Sequence, residues 1–332
     1  MGDQAGTVAR FECTKMPKRR WFHHVGMLIG SSLSRTWLVT ANPRPSGHTA
    51  AVLPSDAESE VEQRAEHEAE TLVSRTAALE TELRRLGRVV VAFSGGADSS
   101  FLAAAATNVL GADRVHSVTA VSPSLAGDEE ADCRALAAEL GLRWTPVVTD
   151  EMERAAYRLN DTDRCYHCKA ELMDVVGPIA AAEQATVVLG VNLDDLGDHR
   201  PGQRAATEAG AEFPLVTAGF TKADVRAASK AMGLRTWDKP AAACLASRIP
   251  YGTQVSVEIL GRVDRAEAAL HRLGFAQVRV RHYDDTARIE VDLDELPRVV
   301  EARDEIVDAV RAAGYRYVTV DLEGFRSGNL NG

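Results

Sequence analysis

Two cysteines, Cys165 and Cys168, stand three positions apart in the stretch DRCYHCK, in a chain that has only five. Such a pair can hold an iron–sulfur cluster, form half of a zinc site or act as a redox dithiol. Two unrelated surface thiols would read the same way. Zinc prefers four ligands and no second Cys-x-x-Cys is present; His167 could be a fourth, although its place between the pair favours another direction for its side chain. A third thiol, Cys244, lies in AAACLASRIPYG, followed by Ser247 and Arg248. An arginine nearby favours the thiolate, the nucleophilic and metal-binding form; the plain alternative is a buried structural cysteine. Cys133 falls among Ala, Leu and acids in a helical pattern and reads as core, and Cys13 has no chemistry around it.

The second constellation is VVVAFSGGADSS, which sets Ser94, Gly95, Gly96, Asp98, Ser99 and Ser100 between an apolar strand and a helix. Two glycines let the backbone turn tightly and approach an anion. Free N–H groups at the helix start, with the serine hydroxyls, suit a phosphate. The Walker loop is excluded, because no Gly-Lys-Ser/Thr ending follows. A plain strand-to-helix turn remains the alternative, since Ser and Asp are common caps.

Further candidates cluster around these two. GVNLDDLGDHRPG follows a strand end, where ligands gather in open α/β sheets, so Asn192, Asp194, Asp195 and Arg200 are candidates for the nucleotide. A solvated acidic turn is the alternative. Ser247, Arg248, Arg279 and Arg281 suit a substrate phosphate, because arginine grips phosphate with two N–H bonds. Arg279 and Arg281 are two apart on a strand and share a face. Lys222 and Lys239 suit pyrophosphate. Glu267 and Glu290 read as metal or subunit contacts, or as surface charge.

The elements that must position these groups alternate. An amphipathic helix over 56–86 carries Leu72, Leu79, Leu83 and Leu86 at helical spacing. Strands follow at 88–93, 114–121, 143–148 and 185–192, with helices at 99–110, 128–142 and 221–234, the last capped by Thr221. That order implies a doubly wound parallel α/β sheet. After residue 253 the pattern changes to a helix near 256–273, two alternating strands, a helix over 294–313 and a last strand, a smaller α+β domain. The expected division is a tail or upstream sequence at 1–55, a nucleotide domain at 56–253 and a substrate or oligomerisation domain at 254–332.

Composition bounds the function. The net charge of -10 argues against a broad nucleic-acid face. An odd cysteine count argues against a disulfide framework and for a reducing, cytoplasmic location. No apolar run reaches the roughly 18 residues a membrane span needs. The first fifty residues are basic, with Arg10, Lys15, Lys18, Arg19, Arg20, Arg35 and Arg44 against Asp3 and Glu12.

The loop Ser-Gly-Gly-x-Asp-Ser resembles that of the ATP-pyrophosphatase (PP-loop) superfamily. With RCYHCK, GVNLDDLGDHRPG, FPLVTAGFTKADVR, WDKPAAACLASRIPYG, RVRHYDDTARIEV and DLEGFRSGNLN in this order, the chain from about residue 70 onward resembles the ATP-dependent sacrificial sulfur transferase (LarE) family. The resemblance implies ATP, Mg²⁺ placed with the help of Asp98, and a small-molecule nucleotide substrate, pyridinium-3,5-biscarboxylic acid mononucleotide. Its carboxylates would be adenylated and converted to thiocarboxylates for the nickel-pincer nucleotide of lactate racemase. In one branch the residue matching Cys244 gives up its own sulfur. In the branch with a Cys-x-x-Cys pair, three cysteines, here Cys165, Cys168 and Cys244, hold a [4Fe-4S] cluster that can carry an extra sulfide. The resemblance also implies a homo-oligomer. An amidating or tRNA-thiolating member of the superfamily is the rival reading, without a glutaminase cysteine or zinc-ribbon pairs to support it.

Overall fold

The computed structural model describes residues 56–197, 201–240 and 243–326. The expectations for residues 1–55 and for Arg200 lie outside them.

The first sheet is built around β1 (Val89–Ala92), flanked by β2 (Val115–Val121) and β4 (Thr186–Leu189), with β3 (Trp144–Val148) beyond β2. The order is β3-β2-β1-β4 and all pairings are parallel. Successive β1 side chains point to opposite faces. Val89 and Val91 join one core with α1 (Asp56–Leu86), α2 (Ala97–Leu110), α3 (Gly127–Glu139) and α8 (Lys222–Ala231). Val90 joins another with α5 (Arg164–Ala182) and α6 (Pro201–Glu208). The sheet is therefore a doubly wound parallel α/β sheet, as its valine-rich strands imply. On α1, Leu72, Leu79 and Leu83 form the buried stripe.

The strand order reverses between β1 and β4, and the crevice at their carboxyl ends is where such sheets bind ligands. Backbone contact narrows it. A β-carbon on Gly190, just past β4, would stand 2.8 Å from the Ser99 amide nitrogen, so only glycine lets β4 exit against the start of α2.

The second sheet pairs β5 (Val278–Tyr283) antiparallel to β6 (Thr286–Val291), and β6 parallel to β7 (Tyr317–Val320). α9 (Val257–Arg272) packs on it through Ala266 and Leu270, around Phe275, Ile289 and Val310. The single helix expected over 294–313 is two: α10 (Leu296–Glu301) and α11 (Arg303–Ala312). Ala302, at ψ 20°, leaves the helical path; its N–H closes α10 on the Arg298 carbonyl, and its own carbonyl accepts from Ile306 to start α11. Met152, Tyr157 of α4 (Ala155–Leu159), Leu245, Ile249, Leu260 and Val263 form a shared core that joins α9 to the segment after β3 and to the Leu245–Arg248 turn.

Candidate active site

The loop after β1 is built to leave backbone donors free. Gly95 has φ +67°, the left-handed region. Gly96 caps α2 without a side chain, so the first-turn N–H groups keep their capacity for an anion. The Ser94 N–H donates to Ser99 Oγ at 3.2 Å, and the two hydroxyls lie 3.1 Å apart, tying the loop to the helix. Ser100 Oγ is buried without a hydrogen-bond partner. Beneath the loop, the Cys133 Sγ lies 2.8 Å from where a β-carbon on Gly95 would stand. Cys133 is fully buried in the core, as the sequence suggested, and burial pushes its thiol up to about 11.

Three elements converge on Asp98. Its carboxylate accepts from Asn192 Nδ2 at 3.1 Å and forms an ion pair with Lys222. Asn192 Oδ1 accepts the Asp194 N–H at 3.0 Å, and Asp195 Oδ2 accepts the Asn192 N–H at 3.1 Å. Asp194 Oδ2 in turn accepts the Lys222 N–H at 2.7 Å. Lys222 opens α8, where Thr221 and Asp224 form a reciprocal capping box. Lys239 reaches the same loop from far along the chain. Its ammonium donates to the Gly95 carbonyl at 3.2 Å, to Glu129 at 3.3 Å and to Asp132 at 2.8 Å. Burial works against the Asp132 charge, but Lys239 and Arg235 together hold its carboxyl below the usual range.

The cysteines lie on two facing pieces of chain. Cys165 and Cys168 occupy the first turn of α5, three apart and thus on one face. Cys165 is exposed and Cys168 half-buried; Cys244 is exposed, just ahead of a tight turn at Leu245–Arg248. Burial and then the charge of Cys244 push the Cys168 thiol up to about 12. Burial and then Cys244 also raise the pKa of Tyr157, whose hydroxyl lies 2.5 Å from Ser124 Oγ. The Ser124 carbonyl accepts the Leu245 N–H at 2.9 Å.

Buried Arg164 lies between the two pieces. It donates to Asn160 Oδ1 and, at 2.8 Å, to the Ala246 carbonyl. Burial opposes its charge, yet Cys244 and Cys165 lead the neighbours that raise its pKa. Among the described residues, no group of three His, Cys, Asp or Glu side chains converges closely enough to hold a metal ion. The donor chemistry nonetheless fits a thiolate-held cluster: Cys244 and Cys165 both act on the Arg164 charge, Cys244 and Cys165 both act on Cys168, and Cys168 must lose its proton to become a ligand.

The arginines are engaged internally. Arg248, 4% exposed, forks onto both oxygens of Glu267 at 2.9 Å, and its remaining arm donates to the carbonyls of Ala243 and Cys244 and to Ser247 Oγ. Arg281 pairs with Glu290 and donates to the Ser247 carbonyl at 2.8 Å. Arg279 lies over the Phe325 ring, and burial followed by the like charge of Arg248 lowers its pKa. Ser247 and the three arginines thus sit together behind the Cys244 turn. Glu267 and Glu290 are not surface charges: both are buried as counter-ions to these arginines. Sequence reasoning passed over Asn160, Tyr157, Ser124 and the part played by Arg164. The one local signal was an asparagine able to end a helix in the left-handed region, where Asn160 sits at φ 57°.

Residues 72–172 match the NAD synthase family model. The chain is 46% identical over 249 residues to an uncharacterized protein (slr1717) of Synechocystis sp., covering 74% of this chain and 92% of that one. It is 38% identical over 262 residues to the pyridinium-3,5-bisthiocarboxylic acid mononucleotide synthase of Lactiplantibacillus plantarum, covering 79% of this chain and 95% of that enzyme. An uncharacterized protein (MJ0830) of Methanocaldococcus jannaschii is 29% identical over 169 residues, 51% of this chain and 66% of the relative. The identity to the Lactiplantibacillus synthase over almost its whole length, on a parallel sheet with a pyrophosphate-type loop at its switch point, shows that this chain belongs to the ATP-dependent sulfur transferase (LarE) family.

Proposed function

We propose that this protein is an AMP-forming sulfur transferase that converts the carboxylates of pyridinium-3,5-biscarboxylic acid mononucleotide to thiocarboxylates. The observation that carries the reading is the likeness, over nearly the full length, to a synthase named for the bisthiocarboxylic product. A carboxylate oxygen attacks the α-phosphorus of ATP and pyrophosphate leaves. The loop at Ser94, Gly95, Gly96, Ser99 and Ser100, with Lys222 and Lys239, receives the pyrophosphate, and Asp98 helps to place Mg²⁺. Asn192 and Asp195 face the nucleotide, and Arg200 is a candidate for it from the sequence alone. The acyl adenylate is then open to sulfur. Cys244 Sγ attacks its carbonyl and AMP leaves, forming a thioester. Loss of the Cys244 α-proton with cleavage of the Cβ–S bond releases the thiocarboxylate and leaves dehydroalanine.

In the alternative route Cys244 keeps its sulfur: Cys165, Cys168 and Cys244 would hold a [4Fe-4S] cluster, which when bound supplies a site for an exchangeable sulfide. Residues 254–332 form the substrate and oligomerisation part, with Ser247, Arg248, Arg279 and Arg281 around the substrate phosphate. A homo-oligomer working in the cytoplasm completes the proposal. Anaerobic protein incubated with ATP, Mg²⁺ and the biscarboxylate nucleotide should yield thiocarboxylate by mass spectrometry. Pyrophosphate release with amide formed from added ammonia, and no sulfur gain, would favour the amidating alternative that the NAD synthase match over 72–172 keeps in view.

A further inference from the structure

We infer that Arg164, braced by Asn160, is a positioning residue that sets Cys244 against Cys165 and Cys168 for sulfur delivery, without a part in adenylation. The inference rests on the sulfur-transferase reading above.

Arg164 is 4% exposed, yet among the described residues no carboxylate pairs with it. A buried charge without a counter-ion is unfavourable unless its donors are satisfied and something nearby uses it. One terminal nitrogen, Nη1, donates to two places. One is Asn160 Oδ1, on the segment leading into α5; the other is the Ala246 carbonyl, two residues past Cys244. The Tyr251 ring covers it, with the guanidinium carbon 5.5 Å from the ring centre. The guanidinium therefore joins the backbone that carries Cys165 and Cys168 directly to the turn that carries Cys244.

Asn160 makes this a clamp. Its amide donates to the carbonyls of Pro250 and Thr253, each at 2.8 Å, and its own carbonyl accepts the Gly252 N–H at 3.1 Å. The Val255 N–H donates to the Arg158 carbonyl at 2.9 Å. The Leu245–Arg248 turn and the chain that follows it, as far as Val255, are thus fixed to residues 158–164. None of these bonds touches the Ser94–Asp98 loop or the Asp98 network. A defect here should appear where sulfur must reach the adenylate, and not where ATP is cleaved.

The test compares Arg164→Gln and Arg164→Lys with the wild type in two assays: pyrophosphate release and thiocarboxylate formation. A third readout on metal-free protein is cross-linking of Cys244 to Cys165 by a short bismaleimide, located by mass spectrometry. Misplacing a reacting group by an ångström can lower a rate by about a hundredfold, so Arg164→Gln should lose roughly tenfold or more in sulfur transfer. Its pyrophosphate release should stay within about twofold, its cross-link yield should fall, and Arg164→Lys should recover part of both losses. Wild-type sulfur transfer in Arg164→Gln, or a parallel loss of pyrophosphate release, overturns the inference. If the wild type itself transfers no sulfur, the sulfur-transferase reading fails, and the cross-link yield still decides whether Arg164 positions the thiols.

Discussion

Arg248 and Glu267 form a buried fork, with Arg248 Nε and a terminal nitrogen each 2.9 Å from a different oxygen of Glu267. Glu267 Oε1 also accepts the Val280 N–H at 2.9 Å, so one carboxylate links the Cys244 turn, α9 and β5. Arg248, which also donates to the Cys244 carbonyl, is therefore part of the frame that holds the proposed nucleophile. Breaking such a pair on one side leaves a buried charge and costs about 3–5 kcal/mol. Glu267→Leu should lose stability on that scale in urea unfolding. Glu267→Leu with Arg248→Met should recover much of it, because no lone charge remains.

Arg279 should behave differently. It is half-buried, and the charge of Arg248 works against its own. A substrate phosphate would relieve that repulsion. Arg279→Ala should raise KM for the mononucleotide roughly tenfold, about 1.4 kcal/mol of binding, with a smaller change in unfolding midpoint than Glu267→Leu. Steady-state kinetics against nucleotide concentration checks this; an unchanged KM removes Arg279 from the phosphate site.

Gly95→Ala meets two obstacles, a φ of +67° and the Cys133 sulfur 2.8 Å from the new β-carbon. ATP-dependent pyrophosphate release should fall about tenfold or more, since the loop must shift. Adding Cys133→Ala removes the sulfur but leaves the φ strain. The double variant should regain part of the activity, and no regain would assign the whole effect to the backbone.

The cysteines separate the two routes of sulfur supply. Cys244→Ala should abolish thiocarboxylate formation in either route. Cys165→Ala should abolish it only where a cluster supplies the sulfide, and anaerobic wild-type protein should then bind about four irons per chain. A Cys165→Ala protein with full single-turnover activity, leaving dehydroalanine at 244, would assign the sulfur to Cys244 itself.

The buried Cys133 thiol gives a pH dependence with a defined sign. Its folded value, near 11, lies above its ordinary value of 9.0, so the folded state keeps a proton that the unfolded chain releases. Its contribution to stability is complete below pH 9 and is lost as pH rises towards 11. Cys133→Ala should flatten the fall in stability across that window, by at most about 2–3 kcal/mol. Urea midpoints measured at both ends of the window test this.

Much of this protein is written locally. The strand, the Gly95–Gly96 turn and the Asp98 helix start are contiguous, so the phosphate-type loop was legible from one run of residues. Thr221 ahead of a helix announced its cap, and the valines of β1 announced a buried parallel strand. The Cys-x-x-Cys spacing singled out Cys165 and Cys168, but the helix over Arg164–Ala182 that sets both on one face was not among the expected elements. What the sequence could not determine is which distant groups share a charge. Lys239 meets the Gly95 carbonyl across 144 residues, and Asn160 meets Pro250 across 90. Glu267 and Glu290 look like surface acids on paper and are buried counter-ions in the fold. Periodicity encodes which face of an element is apolar, because that follows from neighbours in the chain. The partner of a buried charge follows from how elements pack, and only the tertiary structure decided that Arg164 would sit between the Cys165–Cys168 helix and the Cys244 turn.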